Sequence, residues 1–142
     1  MQEHEVRPQG KQACSWQEIE RLVKDIASQV RKSGVRYSCI LAITRGGIVP
    51  ARLLSRELEI EMIQFIPMCN KTVIKAEMPV LDTSRRYLVI DDIYDDGTTC
   101  HNVSRALTGF NCDFCFCMSR YKAHGITAKV LDHNKWIVFP WE

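Results

Sequence analysis

Four carboxylates near the middle of the chain have the type and spacing to do chemistry. Asp91, Asp92, Asp95 and Asp96 fall within six positions, directly after the apolar run 87–90. A single acid after a strand is commonly a helix cap, but four acids in so short a stretch repel one another. Clusters of perturbed carboxylates mark functional sites, so we interpret this segment as a site rather than as a cap.

The residues that follow the acids indicate a phosphate site. Gly97-Thr98-Thr99 opens a predicted helix, whose first turn offers free backbone N–H groups, a positive dipole end and two hydroxyls. Because acids would repel a phosphate, Mg²⁺ or sugar hydroxyls are expected between them. The sequence contains neither a Walker A motif nor a GxGxxG motif, which argues against an ordinary kinase, a P-loop GTPase and a dinucleotide dehydrogenase.

Helices and strands alternate around this segment, which predicts an α/β fold with a mostly parallel, twisted sheet flanked by helices. A capping box at Ser15 and Glu18 starts the first helix, and Gly34 ends it. Apolar periodicity predicts two further helices, over 48–58 and 98–107. Short apolar runs predict strands over 39–43, 60–66, 87–90, 114–119 and 136–139. In such a sheet, ligands bind outside the carboxyl ends of the strands, where the acids fall.

Segment 67–86 has no sustained periodicity and is predicted to be a long loop, with room for a hairpin. Loops of this length within a compact domain are usually functional or mobile. Residues 1–12 are polar and are predicted to form a loose N-terminal arm.

Length and composition indicate one soluble folded domain over residues 1–142. The chain has 46% hydrophobic and 25% charged residues and a net charge of +2. So small a charge does not favour nucleic acid as a partner. No apolar run reaches membrane-spanning length and the first residues do not resemble a signal peptide, so we expect no membrane association and a cytoplasmic location.

The seven cysteines are an odd number, which argues against a disulfide framework. Cys112 and Cys115 have the spacing of a zinc or redox pair. However, Cys115 and Cys117 alternate with Phe114 and Phe116 as strand residues do. We therefore favour buried strand thiols over a metal site.

Three segments together resemble a known family. Segment 89–99 closely resembles the phosphoribosyl pyrophosphate signature of the type I phosphoribosyltransferases. Thr44-Arg45-Gly46-Gly47, after a predicted strand, looks like their pyrophosphate loop. Segment 136–142 resembles the end of the short bacterial hypoxanthine/guanine/xanthine phosphoribosyltransferases. The resemblance covers most of the chain from Val35 onward.

This resemblance implies a Mg²⁺-dependent purine salvage enzyme. It would move the 5-phosphoribosyl group from phosphoribosyl pyrophosphate to a 6-oxopurine, giving a nucleoside monophosphate and pyrophosphate. Asp91 and Asp92 match the pair that holds the ribose hydroxyls and the waters of the metal. Asp95 matches the position credited with accepting a proton from the purine, a general-base task. The residues that match the 5′-phosphate loop are Asp96, Gly97, Thr98 and Thr99.

The resemblance also assigns the pyrophosphate and base sites. In the pyrophosphate loop, formed by Thr44, Arg45, Gly46 and Gly47, the glycines allow a close backbone approach while the guanidinium reaches the oxygens. The peptide bond before Arg45 is cis in similar proteins.

In the base-binding tail (120–142), Trp136 would stack on the purine and the Ile137 backbone would read its edge. We predict Lys122 for the 6-oxo group, with Arg120 as the second choice.

The loop 67–86 matches the mobile hood that covers the transition state, with Lys71, Thr72 and Lys75 as candidate pyrophosphate ligands. Relatives form homodimers or homotetramers, and we expect one of these states. The usual Ser-Tyr pair of the hood is missing, and Tyr94 and Asp96 are uncommon at their positions.

Two other functions remain open. The acceptor could be adenine, a pyrimidine or another base, although the tail motif favours 6-oxopurines. The chain could instead be a non-catalytic regulator that senses phosphoribosyl pyrophosphate on the same fold. A retained Asp95 favours catalysis, because a sensor needs no base.

Overall fold

A five-stranded parallel sheet forms the centre of the computed structural model, which describes residues 10–142. In chain order the strands are β1 (Lys11–Ala13), β2 (Cys39–Ile43), β3 (Ile63–Ile66), β4 (Met68–Cys69), β5 (Thr72–Val73), β6 (Arg86–Tyr94), β7 (Asn111–Arg120), β8 (Ile126–Leu131) and β9 (Trp136–Val138). The order within the central sheet is β3-β2-β6-β7-β8, while β1 pairs with β9 and β4 with β5. The predicted α/β class is confirmed.

The helices are α1 (Trp16–Ser33), α2 (Ile48–Leu58) and α3 (Thr98–Ala106), with a 3-10 turn at Lys75–Glu77. The Ser15 hydroxyl accepts a hydrogen bond from the Glu18 amide, and Gly34 ends α1 in the left-handed conformation, both as predicted. No helix within residues 10–142 combines the length and apolarity needed to cross a membrane.

Both faces of the central sheet are buried. Along β2, Ile40 and Ala42 pack into a core shared with α1 and α2, whereas Cys39, Leu41 and Ile43 pack into a second core shared with α3 and the 67–86 segment. This alternation explains why the strands have continuous apolar sequences, since each side chain meets one core or the other.

The strands that follow β2 and those that follow β6 are added to opposite sides of the sheet. From β2 the chain continues through α2 to β3 on one side, and from β6 it continues through α3 to β7 and β8 on the other. Such a switch point leaves a crevice at the carboxyl ends of the two strands, which is the usual ligand position in this class of sheet.

Several predicted boundaries differ from the structure. The strand predicted over 87–90 is longer, so Asp91 and Asp92 lie inside β6 rather than after it. The strand predicted over 60–66 begins only at Ile63. β8 was not predicted, although Gly125 and the β-branched residues after it are a strand signal.

The predicted loose arm over 1–12 is wrong at its end, because Lys11–Ala13 forms β1. These polar residues have no strand pattern of their own. They form a strand because their backbone pairs in parallel with β9. The rest of the predicted arm, residues 1–9, lies outside the described residues.

The 67–86 segment, called the hood below, contains the hairpin for which the sequence left room. β4 and β5 pair antiparallel, and the turn residues Asn70 and Lys71 both have positive φ. This is the backbone form that a two-residue hairpin turn requires.

Cys115 and Cys117 are fully buried in β7, as predicted for strand thiols.

Candidate active site

The carboxyl end of β6 delivers the acidic cluster to the switch-point crevice. Asp91 is only 8% exposed, and its Oδ1 accepts a hydrogen bond of 2.8 Å from the Asp92 amide. The Asp92 Oδ1 in turn accepts one of 2.7 Å from the Ile93 amide. Each carboxylate is thus oriented by a backbone amide of the next residue.

Burial raises the pKa of the Asp91 carboxyl well above its ordinary value, and the neighbouring Asp92 adds to the shift. Burial also raises the pKa of Asp92, to which the Glu142 charge contributes. Burial therefore makes the ionised forms of both groups less favourable than they are in water. A cation or several hydroxyl donors at this point would favour ionisation.

The Thr44–Gly47 loop lies directly against these acids. A Cβ added to Gly46 would stand 2.4 Å from Asp92 Oδ2, and one added to Gly47 would stand 2.3 Å from the Ile90 carbonyl oxygen. A side chain at Gly47 would collide with backbone atoms, and one at Gly46 would displace the Asp92 carboxylate, so both glycines allow this close approach. The Thr44–Arg45 peptide bond is cis, and the Arg45 side chain is exposed. The structure therefore brings together the two segments that the sequence assigned to phosphoribosyl pyrophosphate.

The predicted 5′-phosphate loop forms the start of α3. Gly97 caps the helix with φ 87°, and a Cβ there would stand 2.4 Å from the Tyr94 hydroxyl. The Asp96 Oδ1 accepts from the Thr98 amide at 2.9 Å, which holds the pKa of Asp96 below its usual range. Thr98 and Thr99 lie in the first turn, where helix amides have no partner within the helix.

The hood touches this loop through Lys71. Its Nζ lies 3.0 Å from Asp96 Oδ2, and its carbonyl oxygen accepts a hydrogen bond from Asn102 Nδ2. The hairpin tip therefore rests on α3, with a lysine beside the predicted phosphate position.

A cavity of about 240 Å³ connects the acids to the C-terminal tail. Trp136 is 49% exposed on its wall, whereas Ile137 and Phe139 are buried beneath. Ile137 lies in β9, opposite Gln12 of β1. The cavity is lined by Lys71, Asp91, Asp92, Ile93, Tyr94, Asp95, Asp96, Gly97, Thr99, Cys100, Phe116, Arg120, Trp136, Ile137, Phe139 and Glu142.

The structure does not bring Lys122 to this cavity. Lys122 is exposed and lies outside the lining residues, whereas Arg120, the second choice, forms part of the wall. The reason is local, because β7 ends at Arg120 and the next residue, Tyr121, turns the chain with φ 61°. The Lys122 carbonyl oxygen then accepts a hydrogen bond from the Ser119 hydroxyl.

Sequence reasoning missed the aromatic pair Tyr94 and His124, whose rings stack with centroids 3.7 Å apart. Tyr94 also meets Phe116 edge to face at 5.3 Å. The signal for Tyr94 was its unusual place between Asp92 and Asp95, but nothing in the sequence indicated its partners.

Comparisons with known proteins agree with this geometry. A family profile described as a phosphoribosyl transferase domain matches residues 11–142. The chain belongs to this family.

Similar proteins in this phosphoribosyl transferase family include xanthine-guanine phosphoribosyltransferases. That of Idiomarina loihiensis is 26% identical, with 90% of this chain and 84% of the relative covered. That of Nitratidesulfovibrio vulgaris is 28% identical, with 90% and 82% covered. The solved xanthine-guanine-hypoxanthine phosphoribosyltransferase of Helicobacter pylori is 18% identical, with a TM-score of 0.81 and 93% of each chain covered, which shows a shared fold.

The raised pKa of Asp91 gives a stability prediction for the ligand-free phosphoribosyl transferase domain. When folding raises the pKa of an acid, that acid lowers the stability of the fold. The loss grows as the pH rises from the pKa of the unfolded state to that of the folded state. Asp91→Asn should therefore raise Tm at pH 8 by about 3 °C or more, equivalent to roughly 1 kcal/mol, with a smaller gain at pH 5. Differential scanning calorimetry at both pH values measures this.

Asp82→Asn is the matched control for this prediction. The Asp82 carboxylate accepts hydrogen bonds from the Ser84 amide and hydroxyl, which lower its pKa. Its replacement should not raise Tm at pH 8. A Tm for Asp91→Asn at or below that of the unaltered protein at pH 8 would contradict the burial argument.

Proposed function

We propose that this protein transfers the 5-phosphoribosyl group of phosphoribosyl pyrophosphate to a 6-oxopurine, namely hypoxanthine, guanine or xanthine. The products would be a nucleoside monophosphate and pyrophosphate. The observation that carries the proposal is that a single cavity joins the acidic segment at the end of β6 to Trp136 in the tail. The names of the two relatives at 26% and 28% identity support it.

The reaction breaks the bond between ribose C1 and a pyrophosphate oxygen and forms a bond from C1 to a purine nitrogen. The purine proton would leave for the Asp95 carboxylate, which lines the same cavity as Trp136. The oxocarbenium-like transition state needs placed charge more than covalent help. Asp91 and Asp92 would accept hydrogen bonds from the ribose hydroxyls, and the start of α3 would bind the 5′-phosphate.

We assign Mg²⁺ as the cofactor. Within residues 10–142, no group of three or more His, Cys, Asp or Glu side chains is arranged to hold a metal by itself. Mg²⁺ fits this arrangement because it commonly uses one or two carboxylates, substrate phosphates and waters. Asp91 and Asp92, whose ionised forms are disfavoured by burial, would hold it through water, and it would neutralise charge on the leaving pyrophosphate.

The pyrophosphate itself would lie against the Thr44–Gly47 loop. The close approach of Gly46 to Asp92 leaves the loop backbone bare beside the metal position, and the exposed Arg45 can reach phosphate oxygens. The base would stack on Trp136, with the Ile137 backbone at its edge. The exposed position of Lys122 gives no support to its assignment to the 6-oxo group.

We further propose that the protein acts in the cytoplasm as a homodimer or homotetramer. The resemblance of the chain to short bacterial enzymes supports the oligomeric state, and the odd cysteine count supports a reducing compartment.

A base panel tests the proposed function. Purified protein, Mg²⁺ and phosphoribosyl pyrophosphate are mixed with hypoxanthine, guanine, xanthine, adenine or orotate, and nucleotide formation is followed chromatographically. We expect turnover of the 6-oxopurines, with kcat about 100-fold lower in the isosteric Asp95→Asn variant because it cannot accept the proton. Turnover of adenine or orotate alone would show that the acceptor is not a 6-oxopurine. Binding of phosphoribosyl pyrophosphate without turnover of any base would contradict the enzyme function and favour the non-catalytic regulator.

Asp96 provides a second prediction. Its negative charge lies beside the predicted 5′-phosphate position and would repel a phosphate. It also forms an ion pair with Lys71, so this cation is already neutralised when the phosphate binds. Asp96→Thr should tighten phosphoribosyl pyrophosphate binding by about fivefold, measured by titration calorimetry with Mg²⁺. Asp25→Asn removes the same charge from an exposed position on α1 and should leave Kd unchanged. Weaker or unchanged binding in Asp96→Thr would show that Asp96 does not oppose the phosphate.

A further inference from the structure

The Arg120 guanidinium is buried in the cavity wall and uses all three of its nitrogens. Its side chain is 8% exposed, and Nε donates to Asp95 Oδ1 at 3.0 Å. One Nη donates to the His133 carbonyl oxygen at 2.9 Å and the other to the Lys135 carbonyl oxygen at 2.7 Å. A buried cation needs such partners, because an unpaired one would be strongly destabilising.

The three acceptors belong to two segments that are remote in sequence. Asp95 lies between β6 and α3, whereas His133 and Lys135 lie in the loop between β8 and β9. Lys135 immediately precedes Trp136, and its own amide donates to His133 Nδ1. The guanidinium therefore joins the candidate general base to the loop that leads into the candidate base-stacking residue, Trp136 of β9.

We propose that Arg120 is a positioning residue that sets the distance between Asp95 and Trp136. The inference rests on the proposed function. A purine stacked on Trp136 can lose its proton to Asp95 only if both are held at one spacing, and small displacements of reacting groups reduce rates strongly. Because Asp95 Oδ1 accepts from Arg120, Oδ2 is the oxygen left to receive the proton.

The planar guanidinium is suited to this task where a lysine is not. Its fork presents separate nitrogens in fixed directions, so it can bond one carboxylate and two carbonyls at once. An ammonium could pair with Asp95 but cannot span both loop carbonyls. These bonds use three of the five N–H donors of the guanidinium, and all three join parts of the chain to one another.

Steady-state kinetics with guanine and ligand-free hydrogen exchange test the proposal. Arg120→Gln should raise the KM for guanine about tenfold and lower kcat about 100-fold, while phosphoribosyl pyrophosphate Kd stays within about twofold. Arg120→Lys should recover kcat to within about tenfold of the unaltered protein while the KM for guanine stays raised. In both variants, the amides of residues 132–137 should exchange at least about tenfold faster.

Two further variants separate positioning from other effects. Asp95→Asn keeps an acceptor for Arg120 Nε, so its guanine nucleotide Kd should stay within about threefold while kcat falls. Lys129→Gln breaks the other partly buried ion pair, to Glu18 at 2.8 Å, and should leave guanine KM and kcat unchanged.

Unchanged guanine KM and kcat in Arg120→Gln, or unchanged exchange over 132–137, would overturn the proposal. If Arg120→Gln fails to fold, as judged by circular dichroism, the same criteria apply to Arg120→Lys. Absence of purine turnover in the unaltered protein would refute the proposed function instead. The exchange measurement would then still decide whether Arg120 fixes the loop.

Discussion

Two adjacent carboxyl groups at the end of β6 constrain everything around them. Asp91 is almost fully buried, and the raised pKa values of Asp91 and Asp92 report how unfavourable their charges are without a ligand. The Thr44–Gly47 loop comes so close to Asp92 that a Cβ on Gly46 would stand 2.4 Å from Asp92 Oδ2. The absence of a side chain at Gly46 therefore allows the loop to approach the carboxylates.

Within residues 10–142, basic side chains form ion pairs with only half of the acidic cluster. Asp95 is paired with Arg120 and Asp96 with Lys71, and the ion pairs found within residues 10–142 include neither Asp91 nor Asp92. The two exposed acids thus each pair with a basic side chain, whereas backbone amides orient the two inner ones, which have no ion-pair partner in the described part of the chain. This division leaves the inner pair available to a metal ion and to ribose hydroxyls.

The sequence was sufficient wherever the information was local. The ends of α2 agree with the prediction, and the capping box and the glycine stop of α1 were correct. The acidic segment was placed at the right edge of the sheet because parallel strands end together. The hairpin in the hood was also within reach of local reasoning, although its contact with Asp96 was not.

Non-local pairing explains what the sequence did not predict. β1 is polar and forms only because β9, at the other end of the chain, offers it a parallel ladder. The choice between Lys122 and Arg120 depended on where β7 ends, and apolar alternation does not reveal that a tyrosine will turn the chain at positive φ. The hydrogen bonds of Arg120 to two backbone carbonyls could not be predicted, because every residue type has a carbonyl group.

The two ends of the cavity are built to different physical rules, and a ligand must satisfy both. At the acidic end, strand and helix backbones hold the polar groups, so little can move without disturbing β6 or α3. At the other end, half-exposed Trp136 begins β9 beside buried Ile137, and the loop before it accepts two hydrogen bonds from the Arg120 guanidinium. A molecule that is polar at one end and flat and apolar at the other covers both surfaces, which is the shape of a nucleotide. Arg120 bonds both to Asp95 and to the loop before Trp136, so we expect base binding and proton transfer to depend on the same side chain.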